Sequence, residues 1–435
     1  MLLTLYTKKK FGHADVNNMY ASCEQVCNPK LRGKPLYILS NNDGIPIAKS
    51  KEAKELLDLD FSQPWFKFKD IARKLGIIAL SSNYEMYADF SNRFVETLRT
   101  FTPSLEVYSI DECFLDMTGF NKNLNDYGQV IKDTVKQWTG LPICVGFGHS
   151  KTLAKLANHI AKKQPQFNGV CDLTAMTEAE IDSLMDKISV GKVWGVGKAI
   201  EQKLNKLGVY TVLRLKRADC KRIRDEFGVV LERTVKELNG ENWLDIQETF
   251  LESKQVMSSR SFGQRITTLV ELEEAISYHV SNATQRLRKQ NLYANAIMVF
   301  IKNSPFDKAL PYTPNYTIGL PSPTNNTLQL NNAALWGLKK IYKEGIYYQK
   351  AGVLLTDLVP DAGQQLDIFG FSDGNERSQA LMETMDKINL KFPDNNIKLA
   401  SEGIKKSWVM RRELKSPNYT TDWNDLPVTV PPRFS

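Results

Sequence analysis

The stretch Tyr108-Ser-Ile-Asp-Glu-Cys-Phe-Leu-Asp116 sets two adjacent acids, Asp111 and Glu112, inside a run of apolar and β-branched residues. Successive strand residues point to opposite faces. In a half-buried strand the two acids therefore cannot both face water, and one needs a partner on the buried side, because an unpaired buried charge is heavily penalised. A metal ion is one such partner. A third acid, Asp15, closes another short strand-like segment, residues 11–15, just ahead of a helical pattern. Three carboxylates drawn from two strands could hold a pair of Mg²⁺ ions, which prefer hard oxygen ligands. A competing reading treats Asp111 and Glu112 as structural acids paired with lysines. Asp116 is read as a strand-end or turn residue rather than a fourth ligand.

A chain of 435 residues has material for two to four domains. Its hydrophobic share of 42% and charged share of 24% are those of a globular protein, and a net charge of +8 leans towards polyanionic partners. No apolar run approaches the roughly 20 residues of a membrane span. The opening ten residues carry their charge after a very short apolar run, the reverse of a signal peptide, so a cytoplasmic location is expected. Cysteines at 23, 27, 113, 144, 171 and 220 form no Cys-x-x-Cys pair, and the four histidines, at 13, 149, 159 and 279, are scattered. Neither a zinc site nor a disulfide framework is indicated, and the chemistry must rest on the acids.

Along the chain, a helix is expected from Met19 to Cys27 with Tyr20 in its first turn. A β-rich segment at 35–40 breaks at the turn signal Asn41-Asn-Asp-Gly44 and resumes at 45–48. Residues 49–57 read as helical. Their lysines Lys49, Lys51 and Lys54 are either a solvated face or, beside an acidic metal site, a grip on a triphosphate. Amphipathic helices at 91–101 and 127–139 lead to a strand at 141–148, an alternation that makes an α+β sheet domain. The helix at 149–163 is expected to bury Leu153, Leu156, Ala157 and Ile160 and to direct Lys151, Lys155, Lys162 and Lys163 outward.

From about residue 173 the texture becomes helical, and Val193-Trp-Gly-Val-Gly197 followed by Lys198 forms a glycine hairpin between two helices. Exposed backbone N–H groups there suit a phosphate, although such a hairpin can also simply close a turn. A linker near 246–256 precedes a compact region of strands and two helices, 258–358, whose Arg260, Arg265 and Lys302 suggest a basic face for a backbone-tracking groove. In the tail, Gln365-Leu-Asp-Ile-Phe369 reads as a docking peptide, or as a piece packed back on the preceding domain.

The motifs Asp15-Val-Asn-Asn-Met-Tyr-Ala-Ser-Cys-Glu24, Ser109-Ile-Asp-Glu112 and Lys151-Thr-Leu-Ala-Lys-Leu-Ala-Asn-His159 together resemble the Y-family translesion DNA polymerases. With Ser40-Asn-Asn-Asp-Gly44, Ser81-Ser-Asn-Tyr-Glu85, Val193-Trp-Gly-Val-Gly197 and Ser259-Arg-Ser-Phe-Gly263, nearly the whole chain resembles the UmuC type of that family, catalytic subunits of the bacterial SOS mutagenesis polymerase.

The resemblance implies an α+β multidomain fold, a right-hand polymerase. Its palm would be residues 11–18 and 86–172, its small fingers 19–85, and its helical thumb with a helix-hairpin-helix 173–245. An α/β little finger at 252–358 and a C-terminal clamp- and partner-binding tail at 359–435 complete it, with 1–10 as an extra N-terminal segment. The implied activity is error-prone, template-directed DNA synthesis across lesions in the SOS response. By the same resemblance Asp15, Asp111 and Glu112, with the Val16 carbonyl, bind two Mg²⁺ ions, and Tyr20 is the steric gate against a ribose 2′-hydroxyl. Lys162 and Lys54 contact the triphosphate, with Lys49 and Lys51 as further candidates. Gly195, Gly197, Lys198, Arg260 and Arg265 hold DNA, and Gln365, Leu366, Ile368 and Phe369 anchor a sliding clamp. The implied substrates are primer-template DNA and deoxynucleoside triphosphates, and the implied partners are the processed UmuD dimer and the RecA filament, at the nucleoid.

Two departures stand out. Residues 1–10 precede the usual start, leaving His13 where an apolar residue is expected, and residues 57–62 lack the glycines usual in the fingers. The alternative function is a catalytically silent DNA-binding scaffold docked on the clamp.

Overall fold

A computed structural model describes residues 8–56, 63–247, 253–307, 310–360, 375–392, 397–404, 406 and 408–426. The chain divides into two compact units, one formed by residues 1–40, 45–250 and 414–435, the other by 41–44 and 251–413.

Among its described residues the first unit carries β1 (Phe11–Val16), β2 (Leu36–Leu39), β3 (Pro46–Lys49), β4 (Ile78–Ser81), β5 (Leu105–Val107), β6 (Glu112–Asp116), β7 (Ile143–Gly148) and β8 (Val170–Asp172). Five of them form one sheet in the order β5-β6-β1-β7-β8. β1 lies at its centre, antiparallel to both neighbours. A central strand covered on both faces needs small or apolar side chains throughout, and every residue of β1 is buried except Asp15, which is half-buried near its end. His13 meets this demand by giving up its charge. Burial, reinforced by Lys155 and Lys162, holds the imidazole well below its usual pKa.

One face of the sheet is covered by helices Tyr84–Arg99 and Leu124–Thr139. Their Phe94, Leu98, Ile131 and Val135 join Leu115, Val145 and Phe147 in a single core. The helix Lys151–Lys163 lies against β7 and β1. Its approach is so close that a Cβ at Gly146 would stand 2.1 Å from the backbone N of Asn158. Asn158 then ties the layers together, its Nδ2 donating to His13 O (3.0 Å) and Cys144 O (2.7 Å). A smaller sheet, β3-β2-β4, has its own core of Tyr37, Leu39, Trp65, Phe68, Ala72 and Ile77. The following helices, from Glu178–Asp186 to Val229–Leu238, share a third core with Leu153, Leu156 and Ile160.

The second unit is a four-stranded antiparallel sheet of β9 (Val256–Ile266), β10 (Leu292–Asn303), β11 (Asn315–Thr324) and β12 (Tyr348–Pro360), in the order β11-β10-β12-β9. Helices Leu269–Arg288 and Thr327–Ile341 bury Leu272, Ile276, Val280, Leu330 and Leu338 with Ile297, Val299, Ile301, Val353 and Leu355. The register puts Lys302 opposite Lys350, while Arg260 is opposite the buried Ala351. Alternation therefore sets Lys302 and Lys350 on one face of the sheet and Arg260 on the other. No helix among the described residues is long and apolar enough to cross a membrane.

Three local expectations change. Lys49 closes β3, and the helix expected from residue 49 begins at Lys51. β6 begins at Glu112, so Asp111 lies in the preceding turn rather than in the strand. Lys151 does not point outward but is buried against Glu106.

Candidate active site

The two acid-bearing segments meet at one end of the central sheet. Asp15 of β1 stands directly opposite Glu112 of β6. The turn before β6 closes on that first strand residue, with Tyr108 N and Ser109 N both donating to Glu112 O (3.0 and 3.1 Å). Val16 N donates to Asp111 O (2.9 Å), fastening the turn to β1. Ser109 Oγ donates to Asp111 Oδ1 (2.7 Å) and so fixes the carboxylate itself. Leaving the pleat at Asp111 removes the conflict of two adjacent acids on opposite faces.

Two lysines of the Lys151–Lys163 helix compensate the acids. Lys162 Nζ donates to Asp15 Oδ1 (2.6 Å), and Lys155 Nζ lies 2.9 Å from Glu112 Oε1. Asp15, Val16, Tyr20, Lys49, Lys54, Asp111 and Lys162 line one cavity of about 530 Å³. Lys54 donates to Asn18 Oδ1. Burial, then the nearby Lys162, Lys163 and Lys49, lower its pKa. Lys51 is not brought to the cavity; its side chain is 81% exposed and pairs with Glu55 along the helix.

The pKa of Asp15 is raised, chiefly by burial. Lys162 opposes this, whereas Glu112 and Asp111 add to it. Burial thus outweighs what Lys162 offsets at Asp15. Among the described residues no three His, Cys, Asp or Glu side chains stand as a ready-made metal cage. The donor set is nevertheless all oxygen, and Lys162 and Lys155 now supply the positive charge that a cation among these carboxylates would provide. In donor chemistry and charge the residues fit Mg²⁺.

Tyr20 opens the Met19–Cys27 helix and stacks on Tyr87 (centroids 4.6 Å apart, 15° between planes), with Tyr84 edge-on at 5.9 Å. Tyr87 OH donates to Glu24 Oε1 (2.8 Å), and burial pushes this carboxyl up to about 7 against the opposing pull of that bond and of Ser416. A carboxyl whose folded pKa exceeds its unfolded value binds its proton more tightly when folded. Its contribution to stability is therefore complete below pH 4.5 and is lost as pH rises towards 7. Relative to Glu24→Gln, the wild-type protein should lose up to about 3 kcal/mol between pH 4.5 and 8. Paired thermal melts across that range measure the difference, and parallel curves would refute the assignment.

The glycine hairpin is joined to the acidic turn by a contact that its motif gave no sign of. Trp194 Nε1 donates to Tyr108 OH (3.0 Å), and the Lys155 ammonium lies 4.5 Å from the centre of the Tyr108 ring and 5.5 Å from that of Trp194. Gly195 has φ +85°, and Gly197 is the N-cap of the Lys198–Lys206 helix. Both glycines are exposed, and a Cβ at either would meet open space. Arg265 pairs with Asp307 (3.1 Å), and Lys350, beside Lys302, is a basic residue that the sequence reading passed over. Gln365, Leu366, Ile368 and Phe369, and residues 57–62, lie outside the described residues.

Residues 14–159 match the impB/mucB/samB family, and residues 253–368 match that family's C-terminal domain. The chain is 43% identical to Protein UmuC of Salmonella typhimurium, over 96% of this chain and 99% of that protein. The chain belongs to the impB/mucB/samB family. Protein MucB of Escherichia coli is 40% identical over 97% of this chain and 99% of its own length. Within the family frame, residues 178–209 match its HHH motif, and residues 379–429 match a domain of unknown function. Among solved structures, a Y-family DNA polymerase chimera of Dbh and Dpo4 aligns with a TM-score of 0.64 at 20% identity, over 81% of this chain and 100% of that one. An insertion ternary complex of Dbh DNA polymerase aligns at 0.54 and 19% identity over the same shares. The fold is that of the Y-family polymerases.

Proposed function

We infer that this chain is an error-prone, DNA-directed DNA polymerase that carries out translesion synthesis in the SOS response. The observation that carries the reading is the convergence of Asp15, Asp111, Tyr20 and Lys162 on one cavity of about 530 Å³, with Glu112 opposite Asp15, at the end of the central sheet.

In this reading Asp15, Asp111 and Glu112, with the Val16 carbonyl, hold two Mg²⁺ ions. When bound, these supply activation of the primer 3′-hydroxyl and stabilisation of the leaving pyrophosphate. The chain's own groups do the rest. Lys162, in range of a phosphate bound beside Asp15, and Lys54 and Lys49 on the same cavity neutralise the triphosphate. Tyr20 lies against the sugar, its ring fixed by Tyr84 and Tyr87. The 11–18 and 86–172 segments are the palm, 19–85 the fingers, 173–245 the thumb and 252–358 the little finger. Duplex DNA is held through the backbone at Gly195, Gly197 and Lys198 and, in the second unit, by Arg260 and Arg265, although Arg260 does not share the sheet face of Lys302 and Lys350. Gln365–Phe369 docks on the sliding clamp, and the processed UmuD dimer and the RecA filament are partners at the nucleoid in the cytoplasm.

Primer extension by the full chain with Mg²⁺ and the four deoxynucleotides, on undamaged and abasic templates, tests the activity. Replacing Tyr20 by Ala should raise ribonucleotide incorporation roughly 10- to 100-fold, the scale of relieving an overpacked contact of about 1–3 kcal/mol. The ratio of kcat/KM for ribo- and deoxynucleotides reads it out, and an unchanged ratio removes the gate role.

A further inference from the structure

Behind Tyr20 the packing runs into a segment with no role in the mechanism so far. Residues 414–425 belong to the first unit and to the end of the match to a domain of unknown function. Lys415 forms a parallel bridge with Ser81 at the end of β4. Ser81 N donates to Leu414 O (3.0 Å), and Leu414 N donates to Ser81 Oγ (2.9 Å). Asn83 caps the Tyr84–Arg99 helix by accepting from Met86 N, and it points its amide Nδ2 at Ser416 O, Ser416 Oγ and Pro417 O (3.3, 3.1 and 3.2 Å). Ser416 Oγ donates to Glu24 Oε1 (3.0 Å), the oxygen that also takes the Tyr87 hydroxyl (2.8 Å). Lys415 Nζ lies 3.6 Å from Glu85, and Tyr419 packs against the main core.

We propose that residues 414–419 are a brace that sets the position of Tyr20 and thereby the sugar selectivity of the nucleotide site, with Ser416, Glu24 and Asn83 as positioning residues. The proposal rests on the reading of Tyr20 as the sugar gate. Tyr20 and Glu24 stand one turn apart on one helix, and Tyr84 and Tyr87 stand one turn apart on the next, so each pair shares a face. The Tyr20 ring leans on both tyrosines. One of them is held through Glu24, and the start of the helix carrying both is held through Asn83; both holds end on Ser416. Glu24 is fully buried, and an acceptor without donors there is costly. The two hydroxyls that satisfy Oε1 come from Tyr87 and from the brace, so the brace and the gate's support share a single anchor.

The test measures the ribo-to-deoxynucleotide kcat/KM ratio for the full chain as Ser416→Ala, Glu24→Ala and Glu24→Gln, each with and without Tyr20→Ala, alongside melting midpoints. Ser416→Ala and Glu24→Ala should raise the ratio roughly three- to tenfold, the scale of one lost hydrogen bond. Glu24→Gln should stay near wild type, because an amide oxygen still accepts both hydroxyls. Neither Ser416→Ala nor Glu24→Ala should raise the ratio further once Tyr20 is Ala. If Tyr20→Ala raises the ratio but Ser416→Ala only lowers the melting midpoint, the brace is overturned and the gate stands. An equal rise from Ser416→Ala with and without Tyr20 also overturns the brace. No effect of Tyr20→Ala overturns both. Ser416 is only half-buried, so its Ala variant should fold even where Glu24→Ala does not.

Discussion

Asp111→Asn should lower the rate of nucleotide incorporation roughly 10³-fold while leaving the melting midpoint unchanged. The substitution keeps the shape of the side chain, and its amide oxygen can still accept from Ser109 Oγ, which now donates to Asp111 Oδ1 at 2.7 Å. The bond from Val16 N to the backbone carbonyl at 111 is untouched. What disappears is a negative charge on the cavity wall. Charge stabilisation by a coordinated metal is worth several kcal/mol, and about 4 kcal/mol is a factor of 10³. Single-turnover incorporation with saturating DNA is the measurement. Equal activity in wild type and variant would sink the metal-site assignment. A wild-type protein that binds DNA but extends no primer would instead favour the scaffold. The reading of the acids as structural partners of lysines draws support from the Lys162–Asp15 and Lys155–Glu112 pairs. It leaves Asp111 unexplained on the cavity wall, and this variant separates the two.

Lys151→Met should destabilise the first unit by about 3–5 kcal/mol, the usual cost of removing one partner of a buried ion pair. Lys151 is 3% exposed and its partner Glu106 12% exposed. The ammonium also lies 5.1 Å from the centre of the Phe114 ring, and Glu106 accepts from Gln247 N (2.7 Å). Methionine fills the same volume but leaves the Glu106 carboxylate without its cation. The melting midpoint should fall by roughly 10 °C. The double variant Lys151→Met/Glu106→Gln, which removes both charges, should recover part of that loss. A single variant as stable as the double would mean that the pair carries no weight.

The elements that build the site were legible in the sequence where local patterning decides them. The Met19–Cys27 helix, the turn at Asn41–Asp43 and the long helix of the second unit fall where periodicity and turn chemistry place them. The lysines of the Lys151–Lys163 helix were legible only as a set. Helical spacing says which of them share a face, but not that one is buried on Glu106 while two others reach Glu112 and Asp15. His13 looked out of place because residue type alone does not reveal that burial keeps it neutral.

By itself the sequence determined the acids, the tyrosine, the motif order and hence the family, because these are properties of residue identity and short spacing. Only the tertiary structure decided that Asp111 leaves the strand that Glu112 begins, and that Lys162 meets Asp15 across 147 residues. It also decided that Ser416 shares an oxygen of Glu24, 392 residues away, with Tyr87. Such pairings depend on how separate elements pack and on which charges that packing strips of water, and no local pattern encodes them.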